Sequence, residues 1–375
     1  MSLSSQRPAA PAKHRRGDID PVWAAKVAVP PRTVVIFTRQ MASMLKNAVP
    51  ILGALDTLSN QVEHPVFGEV IRLSCEKIEA GVKFSRVIAY FPKVFPPIYV
   101  TMVQIGEQTG SLDEALERLA HWLERDDNLR QRLKSALTYP AFVMTLSTVL
   151  TLGLFYTLIP GFIQIFDDMK VELPMITQIV VFITNSLRNP GAVLIGLSVI
   201  GILTTAFRKF ISTPSGMGTF YRFCLKVPVV GGMLTFGGLA RYCAAMEALL
   251  TTGMDIAKAL KLSANASGNP LIKHDSEFLI NSVLEGEPVG EYMRMHPNVY
   301  PPTLTNLVSS GEESSRLAEM FGRTASFYDM EMGYQVEALG ATLEPLMLFG
   351  VSFIVGTIVL SIFLPMYGFI GKLSE

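Results

Sequence analysis

Phe91-Pro92-Lys93-Val94-Phe95-Pro96-Pro97, then eight residues, then Gly106-Glu107: this stretch organises the chain, because it occurs twice. The second copy reads His296-Pro297-Asn298-Val299-Tyr300-Pro301-Pro302, again eight residues, then Gly311-Glu312. The offset is 205 positions, with no gap. It holds outward in both directions. Upstream, Met41, Leu45, Ala54, Leu55, Asn60, Pro65 and Gly81 meet Met246, Leu250, Ala259, Leu260, Asn265, Pro270 and Gly286. Downstream, Leu112, Glu114, Arg118, Ala120, Pro140, Ser147 and Pro160 meet Leu317, Glu319, Arg323, Ala325, Pro345, Ser352 and Pro365. A register kept this long marks a duplicated domain.

Composition sets the medium. The 375 residues are 49% hydrophobic and only 17% charged, and the mean hydropathy of +0.36 points to membrane spans. Formal net charge is zero, so no global field favours nucleic acid. The three cysteines, Cys75, Cys224 and Cys243, have no metal-ligand spacing and suit a reducing compartment.

Local signals are helical throughout. Val34, Phe37, Met41, Met44 and Leu45 recur at helical spacing. Asn47 is expected to end that helix in a left-handed conformation, and Pro50 to start the next. Pro65 and Gly81 bound another helix; Pro96-Pro97 opens a further one, reaching about Gln108. Ser111 and Glu114 have capping-box spacing. The helix from Leu112 turns highly charged after Trp122 (Glu124, Arg125, Asp126, Asp127, Arg130, Arg132, Lys134), which reads as a solvated stalk. Gly231-Gly232 and Gly237-Gly238 read as turns; neither precedes the Gly-Lys-Ser/Thr of a phosphate loop.

Three segments are apolar enough to cross a bilayer, which takes roughly 20 helical residues. The expected organisation is a disordered tail at 1–31, helical domain 1 at 32–138 and a first span at 139–160. A loop at 161–190 follows, with an interfacial helix from Met175 to Leu187, then a second span at 191–207. Helical domain 2 at 208–342, a third span at 343–369 and a tail at 370–375 complete the chain. The fold class is therefore all-α: a polytopic membrane protein with two homologous helical-bundle domains and three transmembrane helices. The repeat unit is a domain plus its following span, so the second span is unmatched and returns the chain to its starting side. Arg125, Arg130, Arg132 and Lys134 before the first span, with Arg208, Lys209, Arg222 and Lys226 after the second, put both domains in the cytoplasm and the C-terminus outside.

Chemistry is sparse. No His-Glu-x-x-His, Gly-x-Ser-x-Gly or His-Cys cluster occurs, and no catalytic, cofactor or metal residue is assigned. The spans carry no Asp, Glu, Lys, Arg or His, which weighs against a proton-coupled transporter; a transporter or channel subunit remains the alternative class. The candidate partner-contact residues are Gly106, Glu107, Gly110, Gly311 and Glu312, and Pro96, Pro97, Pro301 and Pro302 are the repeat signature. For Glu107 and Glu312 two roles stand open. Each carboxylate either caps the next helix or pairs with an arginine such as Arg118 or Arg323, or it meets a partner or a weakly held cation.

The run Arg39-Gln40-Met41-Ala42-Ser43-Met44-Leu45 leads to Val49-Pro50-Ile51-Leu52 and Ala54-Leu55. With Gly106-Glu107-x-x-Gly110-x-Leu112, the echo Met246–Leu260 and Gly311-Glu312 with Leu317, it resembles the inner-membrane platform protein family shared by type II secretion systems and type IV pili. The resemblance covers about residues 33 to 370. Asn47 and Ala48 stand where the family often has a Gly, as at Gly253, and Ser315 replaces the Gly seen at Gly110. It implies a non-enzymatic platform of the bacterial inner membrane, with its N-terminus cytoplasmic and the 161–190 loop and C-terminus periplasmic. Implied partners are a hexameric assembly ATPase, pilin or pseudopilin subunits, other inner-membrane assembly proteins, membrane lipid and further copies of itself.

Overall fold

The computed structural model describes residues 19–168 and 173–373. Their regular structure is sixteen helices and no strand. In chain order, α1 is Pro21–Lys26, α2 Pro31–Lys46, α3 Ile51–Gln61, α4 Pro65–Glu79, α5 Phe84–Ile88, α6 Pro97–Thr109 and α7 Leu112–Asp168. Then come α8 Met175–Arg188, α9 Pro190–Ile211 and α10 Pro214–Leu225. The series ends with α11 Val230–Thr251, α12 Ile256–Ala266, α13 Pro270–Leu284, α14 Val289–Met295, α15 Pro302–Glu313 and α16 Leu317–Leu373. Helices α2 to α7 reappear as α11 to α16, and α3/α12 and α4/α13 keep the 205-residue offset at both ends. The duplication read from sequence is thus a duplication of structure.

The helix boundaries have local causes. Pro65, Pro97, Pro270 and Pro302 each occupy the first helical turn, where a missing N–H is harmless. Gly81 and Gly286 end their helices at φ +86° and +93°. Beyond them, the Val82 N–H donates to Lys77 O at 3.0 Å and the Glu287 N–H to Ser282 O at 3.1 Å, the Schellman closure. At two other stops the repeats differ. Ala48 holds φ +59° where its counterpart is Gly253 (φ +78°), and Ser315 holds φ +54° where its counterpart is Gly110 (φ +74°). The left-handed residue after α2 is therefore Ala48 and not Asn47, which sits at φ −90°. A left-handed L-residue costs about 1–2 kcal/mol, part of which glycine returns through its looser unfolded chain. Ala48→Gly and Ser315→Gly should each stabilise their repeat by about 1 kcal/mol, and Gly253→Ala should destabilise by a similar amount, as read by hydrogen exchange at the adjoining helix ends.

The chain divides into two compact units. One is Met1–Arg130 with Leu234–Glu331, and holds the helical-bundle parts of both repeats. In the first repeat, Phe37, Phe67, Phe95 and Tyr99 form an aromatic core, with Phe37 meeting Phe67 edge-on at 5.2 Å and Phe95 tilted on Tyr99 at 4.8 Å. The polar junction beside it is closed: the Thr38 hydroxyl donates to Val34 O and lies 3.0 Å from the Tyr99 hydroxyl. In the second repeat, Tyr242 takes the place of Phe37, at 6.4 Å from Tyr300 and 6.2 Å from Phe321.

Several expectations are corrected in this unit. Residues 1–18, including Lys13–Arg16, lie outside the described residues, but 21–26 form α1. Asp20 caps the Val22 N–H at 2.8 Å, and Trp23 packs edge-on against Phe91 at 6.0 Å. Gly231, Gly232, Gly237 and Gly238 lie within α11 and are not turns. A side chain at Gly238 would stand 3.0 Å from Asn269 Cβ, so its smallness serves packing. Tyr242, Cys243, Ala245, Met246 and Leu249 are buried on several faces of α11, which explains a helix apolar all round without a membrane. The charge run after Trp122 is not a free stalk: Glu124 pairs with Arg39 at 2.8 Å, and Arg125 joins the second repeat.

The other unit is Gln131–Met233 with Met332–Glu375. Helices α7, α9 and α16 are each long and apolar enough to cross a membrane; a bent pair across α10 and α11 would make a fourth, but α11 belongs to the core just described. No side chain of α9 is buried. Pro140 and Pro160 lie inside α7, and Pro345 and Pro365 inside α16, where sequence suggested span limits. Helical residues also extend through 161–168, in place of a loop, with Phe166 buried. Helix α8 presents Thr177, Val180 and Thr184 to the interior. Val180 joins Phe155, Ile159, Ile358 and Ile362 in one cluster, and the Thr177 hydroxyl donates to Ser361 O at 2.9 Å.

Candidate functional site

The paired glutamates are capping groups. Glu107, near the end of α6, accepts from the Ser85 hydroxyl at 2.5 Å and more loosely from the Ser85 N–H at 3.4 Å. Glu312, its counterpart on α15, accepts from the Val289 N–H at 2.6 Å and the Gly290 N–H at 2.7 Å. The helices capped are α5 and α14, which precede the glutamates, not those that follow. Arg118 and Arg323 pair instead with Glu114 and Glu319, at 3.5 and 2.7 Å. A carboxylate on first-turn N–H groups satisfies orphan donors and sits at the positive end of the helix. Position 85/290 explains the two versions: Ser85 supplies a hydroxyl, whereas a side chain at 290 would stand 2.9 Å from Ser309 Cα.

The neighbouring glycines are packing residues. A Cβ at Gly106 would fall 2.8 Å from Ala115 Cβ and 2.9 Å from Leu112 Cα; one at Gly311 would fall 2.9 Å from Met320 Cγ. Each lets α6 or α15 close on the helix that follows it. Gly110 supplies the left-handed stop of α6. Pro97 and Pro302 fill first helical positions, and Pro96 and Pro301 are the extended N-caps before them. The repeated motif therefore builds one helical corner twice. Beside Glu107 the corner leaves an open groove of about 260 Å³, lined by Lys83, Ser85, Arg86, Ala89, Val100, Gln104 and Gln108.

Two features escaped sequence reasoning. The first is the junction of the repeats. Arg125 of α7 donates to Glu247 at 3.1 Å and to the Ser326 hydroxyl at 2.9 Å, and lies 3.8 Å from Asp329. Gly322 makes room, since a side chain there would stand 2.5 Å from the Glu247 carboxyl carbon. Its signal was a lone glutamate in the apolar run Leu239–Leu250.

The second is a polar core confined to the second repeat. Phe37, Leu58, Val70, Val87, Phe91 and Phe95 are buried in the first repeat. Their counterparts are Tyr242, Ser263, Asp275, Tyr292, His296 and Tyr300. Tyr292 donates to Asp275 Oδ1 at 3.4 Å and stacks on His296 at 4.3 Å. The Tyr242 and Tyr300 hydroxyls and Asp275 Oδ2 are buried without a well-formed hydrogen bond, although Ser263 lies beside Tyr242 and Asp275 beside Tyr300. Burial, then the Asp275 charge, pushes the Tyr292 phenol up to about 12 and raises Tyr300; burial also raises Tyr242. A phenol that holds its proton more tightly when folded contributes stability that is intact below its unfolded pKa, about 10. That contribution fades as pH rises from there towards 12. Alkaline unfolding should therefore begin above about pH 10, and Tyr292→Phe should flatten the loss, followed by phenolate absorbance and hydrogen exchange in α14.

The membrane-type unit has an apolar groove of about 530 Å³ between α7 and α16, lined by residues that include Met144, Ser147, Thr151, Met347 and Gly350. Among the described residues, no group of three His, Cys, Asp or Glu side chains is gathered to hold a metal ion. All three cysteines are free, and burial with Asp56, Glu79 and Glu76 nearby raises the Cys75 thiol to about 11, out of the reactive range.

Comparison with known proteins gives one consistent result. The family described as "Type II secretion system (T2SS), protein F" matches twice, over residues 37–160 and 242–365, the same 205-residue offset. The type IV pilus assembly protein PilC of Thermus thermophilus is 34% identical over 343 residues, covering 92% of this chain and 84% of the relative. PilC of Pseudomonas aeruginosa is 28% identical over 358 residues, 95% of each chain. The type II secretion system protein F of Pseudomonas aeruginosa is 27% identical over 334 residues, covering 89% of this chain and 82% of its own.

Proposed function

The chain belongs to the type II secretion system protein F family, and from that premise we propose that it is the inner-membrane platform that couples a cytoplasmic assembly ATPase to the extraction of pilin or pseudopilin subunits and their addition to a filament. The observation that carries this reading is the match of both repeats, each with its apolar segment, to the family. The higher identities to pilus assembly proteins favour the pilus over the secretion machine.

In this reading the two helical domains, 32–138 and 208–342, are cytoplasmic, and the spans at 139–160, 191–207 and 343–369 cross the bilayer. The loop after α7 and the C-terminus are periplasmic, with α8 at the membrane interface. The basic residues flanking the first two spans support that orientation. Two similar domains in one chain offer a quasi-repeated surface to a symmetric hexameric ATPase. The apolar groove between α7 and α16 has the character to receive an apolar helix of a filament subunit. The role is mechanical, not enzymatic.

Deletion of the gene, scored for surface pili and for secreted protein, tests the function. Loss of pili supports the pilus platform, loss of secretion alone assigns the secretion machine, and loss of neither overturns the reading. Reporter fusions in the 161–174 segment and at Glu375 test the orientation independently; a cytoplasmic signal from either would overturn the three-span scheme.

A further inference from the structure

The two copies of the helical corner carry opposite charges. On the first, Lys83 and Arg86 are exposed on the groove beside Glu107, Lys93 is exposed in the segment between α5 and α6, and Glu107 is engaged by Ser85. The corresponding positions of the second repeat are Pro288, Glu291 and Asn298. Gln108 becomes Glu313, and Glu287 is exposed alongside. Two cations are added on this side: Arg294 lies 3.7 Å from Glu291 and donates to Ser309 at 3.1 Å, and Arg316, at the position of Ser111, pairs with Glu319 at 2.6 Å, so both charges are met locally. One backbone shape thus presents a basic rim in the first repeat and an acidic rim in the second.

The surfaces also fit in their apolar parts. Among the polar groups that line the basic groove are two apolar side chains, Ala89 and Val100. The acidic corner exposes Met295, 61% accessible, four residues after Glu291. A flexible thioether side chain can adapt to an irregular groove and rest on these two apolar side chains. Within one chain these charged groups all remain exposed. We infer that the basic α5–α6 corner of one copy docks on the acidic α14–α15 corner of a second copy, head to tail, with Met295 entering the groove. Where two copies make this contact once, each leaves one corner free, and the contact can propagate into a ring or a row. Opposite rims fix the register and disfavour contacts between like corners. The contact needs both corners on one side of the membrane, which their shared compact unit already provides. It does not depend on what the assembly does.

The test uses the full-length chain in nanodiscs or detergent, mixed from isotopically light and heavy preparations. Zero-length carbodiimide coupling should yield mixed-isotope peptides joining Lys83 or Lys93 to Glu287, Glu291 or Glu313. Arg86→Glu and Glu291→Arg should each weaken self-association about tenfold, and the two together in one chain should restore most of it. Association should also fall as salt rises. Coupled peptides confined to single chains, single reversals without effect, or a double reversal as weak as either single one would each overturn the inference. Both substitutions lie on exposed positions, and hydrogen exchange matching the parent confirms that the variants are folded. Because association is read directly, failure here leaves the platform function untouched, and loss of that function would leave this contact standing.

Discussion

Giving the second repeat the apolar core of the first should stabilise it by about 1–4 kcal/mol. The combined substitution is Tyr242→Phe, Ser263→Leu, Asp275→Val and Tyr300→Phe, which installs the residue types found at Phe37, Leu58, Val70 and Phe95. The donor positions are 2% exposed or less in the first repeat, so these residues are known to pack on this backbone. Removing two phenolic oxygens, with Ile272 already smaller than its counterpart Phe67, leaves room for the larger leucine. The gain comes from removing polar atoms that burial strips of water and that make no well-formed hydrogen bond: the Tyr242 and Tyr300 hydroxyls and Asp275 Oδ2. Asp275→Val alone should go the other way. It leaves the Tyr242 and Tyr300 phenols buried without the one carboxylate that faces them, destabilising the repeat by about 1–3 kcal/mol. Hydrogen exchange of α12, α13 and α15 in the full-length chain measures both. The account fails if the fourfold variant opens more readily than the parent, or if Asp275→Val alone is neutral.

That opposition of sign shows where sequence reading stopped. The duplication, the helical class and the apolar segments were legible because each is a periodic signal repeated over many residues. Helix stops at Gly81 and Gly286 were legible because one residue type satisfies one backbone conformation. Ala48 and Ser315 were harder, since neither residue prefers the left-handed region that its glycine counterpart marks. The Arg125–Glu247 junction depends on a contact across more than a hundred positions, with Gly322 as the silent third member, and no local pattern announces it. The polar core was in principle readable, because aligning the repeats places Asp275 on Val70. Its signal lies in the positions where the repeats differ, whereas the duplication itself shows in the positions where they agree. For the site, residue choice was legible and role was not: the Gly-Glu pairs are special, but only the folded corner shows that the carboxylates reach backwards to α5 and α14.

Glu312→Ala should therefore act on folding before it acts on any partner. The carboxylate accepts two short bonds, from Val289 and Gly290, both first-turn donors of α14 with no acceptor of their own within the helix. Hydrogen bonds to a charged group contribute about 1.5–3 kcal/mol, so the truncation should open α14 by about that amount and speed exchange at those two amides by roughly tenfold to a hundredfold. Glu312→Gln keeps one acceptor oxygen but turns an amide donor towards the other N–H, and should recover less than half. Glu107→Ala should be milder, because its firm bond is to the Ser85 hydroxyl and its backbone bond is 3.4 Å long. The repeat supplies the control: Ser85→Gly, which copies Gly290, should remove most of the sensitivity to Glu107, leaving a single weak bond to lose. A partner-contact role predicts a different order, with both glutamates mattering alike for assembly and neither changing exchange in the helix it caps. If the Val289 and Gly290 amides of Glu312→Ala exchange at parental rates while filament assembly is lost, the carboxylate is a contact residue and the capping role is secondary.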